Sequence, residues 1–357
     1  MKKIKMKNRL CLYLSHSELI ENLHHERLQT RDSQLYTYRP ELFDFKSKTL
    51  EQPADKSDPT RSNKRKRKAR EFVKNEEISK VNAELEPFLK EIQRIICSTH
   101  CVSLESISRL WEEPTEFPQF RGANSTSQFQ TTAFNHNTYL IPPKCKFYNY
   151  DVNLLPELLP ELEKYDIVIM DMPWRNKYIK RLKKVNQSMA YQMLSNDSLN
   201  EIPLQQMVHK HSLVVLWCTN SLQHQRAIMD NFLPSWNLKL VHCLKWFKFS
   251  TQGELISPVK TEGYKQPYET IYIACHQDRN MEEIKGLQDV DFIASIPSII
   301  HSHKPPLINW LREYLNDPQD FKGLEIFARY LQPQFTSIGL EVIKLMDKRL
   351  YNAATRI

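Results

Sequence analysis

The chain has 357 residues, 41% of them hydrophobic, which suffices for one large domain with an extension or for two modest domains. It has no apolar run of about eighteen residues, so we expect no transmembrane helix and no membrane partner. The cationic start precedes only the short apolar patch "LCLYL", and we therefore expect a protein that is not secreted. The 7 scattered cysteines are typical of reduced thiols in such a protein.

The formal net charge of +8 at pH 7 is concentrated near the N-terminus, in the run Arg61–Lys74. Residues 1–75 are polar with two weak apolar patches, and we expect a basic, largely flexible N-terminal region. The segment "KRKRK" is typical of a nuclear-import signal or a nucleic-acid-binding arm, with a solubilising linker as the alternative. We expect a nuclear protein.

Residues 76–138 are predicted to form a helical extension and a connection. Apolar residues recur from Ile78 to Ile96 at steps of three and four, which predicts an amphipathic helix of about twenty residues. Its apolar stripe is expected to pack on the domain that follows. Residues 113–140 carry no such period and are predicted to be a long connection.

From residue 139 to residue 357, short branched strand candidates alternate with helix candidates. This alternation predicts an α/β sheet with helices on both faces. Ligands of such sheets bind beyond the carboxyl ends of the strands. Two such ends carry acids here, at Tyr150–Val152 and at Asp171 after the run "YDIVIM".

The stretch "DMPW" at the second strand end carries groups suited to methylation of an adenine amine. That amine is a poor nucleophile, and a site must accept hydrogen bonds from both N–H groups to free its lone pair. Asp171 and the carbonyl group of Met172 are the candidate acceptors. Pro173 would stiffen the loop, and Trp174 would offer a face for a displaced base. The alternative is an ordinary turn with a packed tryptophan.

Four further segments accompany this motif in a fixed order along the chain. They are "IPPKCKFYNYDV", "KQPYE" at 265–269, "HSHKPPL" at 301–307 and "LEIFARYLQPQFTSIGLEV" at 324–342. Over roughly residues 139–347 the chain resembles the DPPW-type adenine-N6 methyltransferases, relatives of the messenger-RNA adenosine methyltransferase, and within them the methyltransferase-like-4 branch. The resemblance implies a Rossmann-like methyltransferase sheet in a domain at 139–357.

The resemblance also implies S-adenosylmethionine as the cofactor and a set of site residues. The chemistry needs no metal, and we expect none. The implied catalytic residues are Asp171, Met172, Pro173 and Trp174. The implied cofactor-binding residues are Asp151, Val152, Lys304, Arg329, Gln332, Gly339 and Glu341.

Three positions depart from the family pattern. Met172 replaces a proline, Tyr330 stands where "FARN" has asparagine, and Leu340 replaces a second asparagine. These changes leave open weakened cofactor binding or lost activity, in which case the chain would be a catalytically degenerate nucleic-acid-binding subunit. Asp171 and Lys304 are retained, and on that ground we favour an active enzyme.

A basic run directly follows the motif and is predicted to contact phosphates, with a solvated helix face as the alternative. The predicted nucleic-acid contacts are Arg175, Lys177, Lys180, Arg181, Lys183, Lys184 and Tyr191. The branch implies an internal 2′-O-methylated adenosine of a small nuclear RNA (U2-type) as substrate, with DNA adenine as the alternative. We expect a monomer or a transient hetero-partner.

Overall fold

The computed structural model of the protein describes residues 1–26, 34–45, 76–99, 116–158, 163–174, 194–260 and 266–355. The basic run Arg61–Lys74 and the predicted phosphate contacts between Arg175 and Tyr191 lie outside the described residues. No helix in the described ranges is long and apolar enough to span a membrane.

The secondary structure begins with two strands and ends with one. The strands are β1 (Lys2–Met6), β2 (Arg9–Tyr13), β3 (Gln34–Tyr38), β4 (Phe120–Asn124), β5 (Gln130–Phe134), β6 (Asn137–Ile141), β7 (Cys145–Asn149), β8 (Tyr165–Asp171), β9 (Val208–Cys218), β10 (Leu238–Lys248), β11 (Tyr268–His276), β12 (Val290–Ser295), β13 (Gly323–Ile326), β14 (Phe335–Gly339) and β15 (Tyr351–Thr355). The helices are α1 (His16–His25), α2 (Glu76–Thr99), α3 (Leu155–Leu158), α4 (Asn196–Asn200), α5 (Leu204–Met207), α6 (Leu222–Ala227), α7 (Leu233–Ser235) and α8 (Ile308–Leu311).

Eleven strands of the described residues form one sheet in the order β1-β2-β12-β10-β11-β9-β8-β13-β14-β7-β4. Most of them run in one direction; β11 and the two edge strands β1 and β4 run in the opposite direction. The predicted α/β class with a Rossmann-like sheet is confirmed. Parallel strands buried on both faces read as continuous apolar runs, and "YDIVIM" in β8 is such a run at the centre of the sheet.

The amphipathic helix predicted from the periodicity of residues 78–96 is confirmed as α2. Its buried stripe includes Val81, Leu85, Phe88 and Ile92, and it packs on the outer half of the sheet. The rings of Phe88 and Phe292 meet edge to face with centroids 5.0 Å apart. This contact shows that the helix buries its apolar face on the domain, as predicted.

The expectation that residues 1–75 are largely flexible is wrong for the described residues 1–26 and 34–45. Strand β2 joins the main sheet beside β12, and β3 pairs with the C-terminal strand β15. The patch "LCLYL" is too short for a targeting segment but long enough for one buried strand, with Cys11 and Leu12 fully buried. Sequence patterns within one segment do not reveal partners that far along the chain.

The expectation of a long connection up to residue 140 is also wrong, since β4 to β6 lie there. Strands β5 and β6 form a hairpin whose two turn residues, Asn135 and His136, have φ values of 46° and 63°. Such left-handed pairs are typical of tight hairpins, and asparagine tolerates them well. The polar sequence hid these strands because one of their faces is solvated.

Candidate active site

The predicted site residues lie along one edge of the sheet, where the parallel strands end. Asp171 is the last residue of β8, and Arg329 and Glu341 follow β13 and β14. Lys304 lies in the segment between β12 and α8. Because β8, β12, β13 and β14 share one direction, their carboxyl ends meet at this edge. Lys304, Arg329 and Asp171 line one pocket there.

Lys304 is the centre of a buried charge cluster. Its Nζ donates to Glu269 Oε2 at 2.6 Å and lies 3.4 Å from Asp171 Oδ2. The second oxygen of Glu269 accepts a hydrogen bond from Lys248, which ends β10. Nζ of Lys304 also lies 5.5 Å from the ring centroid of Trp217. The cluster therefore alternates acids and cations and holds the Asp171 carboxylate at a fixed place.

The shared environment moves the pKa values of these groups apart. Burial raises the pKa of Asp171, and the Glu269 carboxylate adds to the rise while Lys304 opposes it. Burial alone would also raise the pKa of Glu269, but Lys304 and Lys248 hold it well below its usual range. Burial would lower the pKa of Lys304, yet the two carboxylates raise it. At neutral pH, Lys304 and Glu269 are therefore charged.

Glu269 and Lys248 were missed as functional residues from the sequence. Glu269 lies in the segment "KQPYE", where an acid near the start of a strand was the only signal. Lys248 ends the strand "LKLVHCLKWFK", where a lysine after two aromatic residues gave no hint of a partner. Their pairing depends on the antiparallel register of β10 and β11, which local sequence does not encode.

The motif loop after Asp171 is anchored by Trp174, which is 3% exposed. The indole Nε1 donates to the carbonyl group of Trp217 at 3.1 Å. Its ring lies nearly parallel to that of Phe232, with centroids 6.2 Å apart, and contacts His224. Phe232 belongs to a π-helical turn between α6 and α7, an irregularity frequent near functional sites. The expectation that Trp174 offers an open stacking face is therefore wrong, because the ring is already packed.

The backbone of the loop follows the prediction more closely. The carbonyl oxygen of Met172 accepts from the N–H group of Trp174 at 2.8 Å, and that of Pro173 accepts from Leu194. A carbonyl oxygen has two lone pairs, so Met172 retains one acceptor site. The Met172 side chain is buried at 3% exposure and fills the apolar cluster under the loop. Packing here supplies rigidity that a proline ring would otherwise give.

Arg329 is held by a second ion pair at the edge. Its Nε donates to Glu341 Oε2 at 3.0 Å, and its Nη1 donates to the carbonyl oxygen of His301 at 2.7 Å. Lys344 also hydrogen-bonds to Glu341. Burial would raise the pKa of Glu341, but Arg329 and Lys344 lower it. The structure thus brings together two of the residues predicted to surround a ribose.

A neutral acid lies deeper in the pocket. Burial raises the pKa of Glu325 to about 8, and the neighbouring charge of Asp171 contributes to the rise. Gln332 Nε2 donates to Glu325 Oε2 at 2.7 Å, while Gln332 Oε1 is buried without a partner among the described residues. A protonated carboxyl group has an O–H to donate to that oxygen. Glu325 lies within the segment "LEIFARYLQP", and no local pattern there predicted a role for it.

Two loops of the pocket depart from ordinary backbone geometry. Ser302 and Phe327, which both line the pocket, have φ values of 61° and 65°. A left-handed phenylalanine is strained, and such residues cluster at functional sites. Gly339 lies beside the second loop, and a Cβ atom there would come within 2.7 Å of the carbonyl oxygen of Ala328. This close approach explains the glycine without a ligand.

The lysine loop is backed by two buried histidines. His303 packs against His16 of α1 with ring centroids 4.6 Å apart, and both rings are at most 3% exposed. Burial lowers the pKa of His16 to about 3 and lowers that of His303 well below its ordinary value. Both rings are therefore neutral at physiological pH. The N-terminal segment thus contributes directly to the support of Lys304.

The remaining predicted cofactor residues lie farther along the edge. Asp151 follows β7 and accepts a hydrogen bond from the N–H group of Asn153, while Val152 is buried in the apolar cluster below. Neither lines the pocket of Asp171. Tyr330 lines it and contacts the ring of His303, whereas Leu340 is 48% exposed. The roles of Asp151 and Val152 stay predictions.

A family model described as MT-A70 matches residues 165–341, from the start of β8 to just past the end of β14. The match covers Asp171, Glu269, Lys304 and Arg329, so the charge cluster lies within the matched residues. The resemblance to the DPPW-type family and its methyltransferase-like-4 branch is confirmed.

The names of curated relatives of this chain include both a DNA and an RNA methyltransferase. The chain is 32% identical over 228 residues to the N(6)-adenine-specific methyltransferase METTL4 of Homo sapiens, covering 62% of this chain and 46% of that protein. It is 28% identical to the DNA N6-methyl methyltransferase of Caenorhabditis elegans, with 60% and 55% covered. It is 27% identical to the N6-methyladenosine RNA methyltransferase MTA1 of Pyricularia oryzae, with 54% and 50% covered. The chain spans about half the length of these relatives.

Proposed function

We propose that the protein transfers a methyl group from S-adenosylmethionine to the exocyclic amine (N6) of adenine in nucleic acid. The observation that carries this proposal is the Asp171 carboxylate at the end of β8, held 3.4 Å from Lys304, which is itself bonded to Glu269. A preorganised carboxylate at a strand end is the acceptor that activation of an aromatic amine requires. The names of the curated relatives support the same reaction.

Asp171 accepts a hydrogen bond from one N–H group of the amine, and the free lone pair on the carbonyl oxygen of Met172 accepts from the other. The amine nitrogen becomes positive as it gains the methyl group, and the negative charge of Asp171 stabilises that change. Asp171, which already accepts one N–H hydrogen bond, is also placed to accept the proton that the methylated nitrogen then loses. Lys304 keeps the Asp171 carboxylate in position but cancels only part of its charge, because the same ammonium group is also bonded to Glu269. Positioning of the two reactants supplies much of the remaining rate.

The residues of the pocket fit S-adenosylmethionine, which supplies an electrophilic methyl group on a sulfonium when bound. Lys304 has three N–H donors and leaves one for a ligand carboxylate. Arg329 also lines the pocket and has guanidinium N–H groups beyond those bonded to Glu341 and His301. The residues that would hold the cofactor are Lys304 and Arg329 in the pocket, Gln332 and Glu341 bonded to its lining residues Glu325 and Arg329, and Gly339, Asp151 and Val152 along the edge.

Within this reaction, we propose an internal 2′-O-methyladenosine of a small nuclear RNA as the substrate. The resemblance to the methyltransferase-like-4 branch supports it, as does the ease of presenting an unstacked base in looped RNA. DNA adenine is the second candidate, favoured by the name of the Caenorhabditis elegans relative. The sequence run "KRKRK" supports a nuclear location, and deletion of residues 61–74 should disperse the protein from the nucleus.

A catalytically degenerate nucleic-acid-binding subunit is the competing function. The departures at Met172, Tyr330 and Leu340 favour it, whereas the intact cluster of Asp171, Lys304 and Glu269 opposes it. As an enzyme, the protein is proposed to act as a monomer or with a transient hetero-partner, whereas a degenerate subunit would act within a heteromeric methyltransferase or alone.

Calorimetric titration of S-adenosylmethionine, followed by transfer of a labelled methyl group to matched RNA and DNA strands, tests these proposals. We expect cofactor binding and transfer to RNA that carries a 2′-O-methyladenosine, with Asp171→Asn as the inactive control. Absence of cofactor binding at millimolar concentration would exclude the enzyme. Transfer to DNA alone would replace the RNA substrate with the second candidate.

A further inference from the structure

A second cavity of about 460 Å³ lies on the opposite face of the sheet, between α2 and α6. Its floor is formed by Cys243 and Lys245 of β10 together with Tyr268, Thr270 and Tyr272 of β11. Cys243 pairs with Tyr272 and Lys245 with Thr270, so alternate residues of both strands face the same side. We call this cavity the α2–α6 groove. It is large enough for about one nucleotide or a ligand of that size.

The groove reaches the catalytic edge at Tyr268. This residue directly precedes Glu269, whose carboxylate holds Lys304 on the other face of the sheet. Consecutive residues of a strand point to opposite faces, so the groove and the catalytic pocket meet at one strand end. A chain that lies in the groove therefore needs to cross only the edge of the sheet to bring its next unit to Asp171.

The groove is lined by both acids and cations. Arg9 bonds Asp291 with an Nε–Oδ1 distance of 3.1 Å and lies 4.0 Å from Glu84, so these two lining acids share a cation. The groove is also lined by Lys245 and Lys260, and Lys245 pairs with Phe292 of β12 and Thr270 of β11. Neither lysine has a carboxylate partner among the described residues. The acids of the groove are thus bonded to Arg9, and the two lysines remain for an anionic ligand.

The groove also offers an aromatic surface. Nζ of Lys245 lies 5.7 Å from the ring centroid of Tyr268, which is only partly buried. A partly exposed ring beside ammonium groups that lack carboxylate partners is a combination that binds single-stranded nucleic acid, since a base stacks on the ring while phosphates meet the cations. A peptide would find neither a free strand edge nor a deep apolar pocket in these lining residues.

We propose that the α2–α6 groove binds the single strand that flanks the target adenine, with phosphates on Lys245 and Lys260 and a base against Tyr268. This inference rests on the proposed function for the position of the target base. The binding itself does not depend on methyl transfer and can be measured separately. The groove thereby extends the recognised strand beyond the base in the catalytic pocket.

The test compares two labelled oligonucleotides centred on adenine, of about four and about sixteen nucleotides, by fluorescence anisotropy over a range of salt. The variant Lys245→Gln/Lys260→Gln should reduce the salt slope for the long strand by about 1.4, or about 0.7 per lost phosphate contact, and leave the short strand unchanged. The control Lys210→Gln/Lys322→Gln changes two exposed lysines at the opposite edge and should behave like the wild type.

A second variant tests the ring. Tyr268→Leu should weaken binding of the long strand about tenfold, and Tyr268→Phe, which keeps the ring, should retain wild-type affinity. An unchanged salt slope in the double lysine variant would overturn the proposal. An equal loss for both strands would also overturn it, because it would place the lysines at the target base itself.

These results separate the groove from the proposed function. If the protein binds the long strand through Lys245 and Lys260 but transfers no methyl group, the proposed function is wrong and the groove proposal stands. If the protein methylates adenine while the groove variants bind the long strand like the wild type, the proposed function stands and the groove proposal is wrong. Calorimetry of S-adenosylmethionine on each groove variant should give the wild-type affinity.

Discussion

The catalytic pocket and the α2–α6 groove lie on opposite faces of one sheet edge and use charge in opposite ways. In the pocket, Lys304 and Lys248 neutralise Asp171 and Glu269 at short range. In the groove, the described residues leave the two lining lysines without carboxylate partners. Paired charges fix positions but project little field, whereas unpaired cations attract a polyanion from a distance. The contrast separates orientation of the reacting groups from capture of the strand.

The largest effect is expected from removing the cation that both pocket acids share. Lys304→Met leaves two largely buried carboxylates without their common partner. We expect the free energy of unfolding at pH 7.5 to fall by about 3 kcal/mol, the lower end of the cost of breaking a buried pair. Urea denaturation of wild type and variant measures it. Lys285→Met, at an exposed pair with Glu282, is the control and should change stability by less than about 1 kcal/mol.

The free energy of unfolding of Lys304→Met should change with pH in the direction opposite to that of the wild type. In the wild type, Glu269 has a lowered pKa, so its stabilisation is present above the unfolded value and is lost as the pH falls. Without Lys304, Glu269 keeps its bond to Lys248, whereas burial and the Glu269 carboxylate raise the pKa of Asp171 without the opposing charge of Lys304. The variant should therefore regain part of the lost stability as the pH falls toward 5. A variant that loses stability with acid as the wild type does would contradict the shared-cation arrangement.

The catalytic acceptor gives the next effect. Asp171→Asn keeps a side-chain oxygen but removes the charge, and we expect methyl transfer to slow by about 10²–10³-fold, as for loss of one preorganised polar group. The free energy of unfolding should stay at or above the wild-type value. Lys304 remains bonded to Glu269, and the substitution removes the partly desolvated negative charge of Asp171. Single-turnover transfer of labelled methyl measures the rate. Asp230→Asn, an exposed change, should have the wild-type rate, and an Asp171→Asn rate near wild type would remove Asp171 from the chemistry.

The sequence predicted some residues of the catalytic pocket but not the residues that pair with them. Asp171, Lys304 and Arg329 were identified from local motifs, and the structure brings all three to one pocket. Glu269 and Lys248 were missed because their partnership depends on strand register rather than on neighbours in the chain. The same reason hid β2 and its packing beside β12, which lies far away in sequence. Local patterns identify strand ends, but pairing between distant strands decides which ends meet.

The neutral acid of the pocket gives a smaller, pH-dependent effect. Burial raises the pKa of Glu325 to about 8, and the residue is 8% exposed, so the folded state keeps the proton while the unfolded state loses it above the ordinary glutamate pKa of 4.5. Its contribution to stability is full below that value and declines as the pH rises to about 8, by about 1.4 kcal/mol per pH unit. Glu325→Gln should flatten that decline in urea denaturation between pH 5 and pH 8. The exposed change Glu157→Gln should not alter the slope, and an unchanged slope in Glu325→Gln would mean that Glu325 is ionised in the folded protein.

The smallest expected effect compares the two regions directly in the wild type. Cofactor affinity should vary with salt by less than one unit of logarithmic slope, because the ion pairs of the pocket are partly shielded from solvent and release few counterions. Affinity for the long strand should fall with a steeper slope, about 0.7 for each phosphate contact. Lys245→Gln alone should remove about 0.7 of that slope without changing cofactor affinity. If both ligands instead had the same slope, the pocket would itself meet phosphate, and paired charge could no longer explain how orientation and strand capture are divided between the two faces.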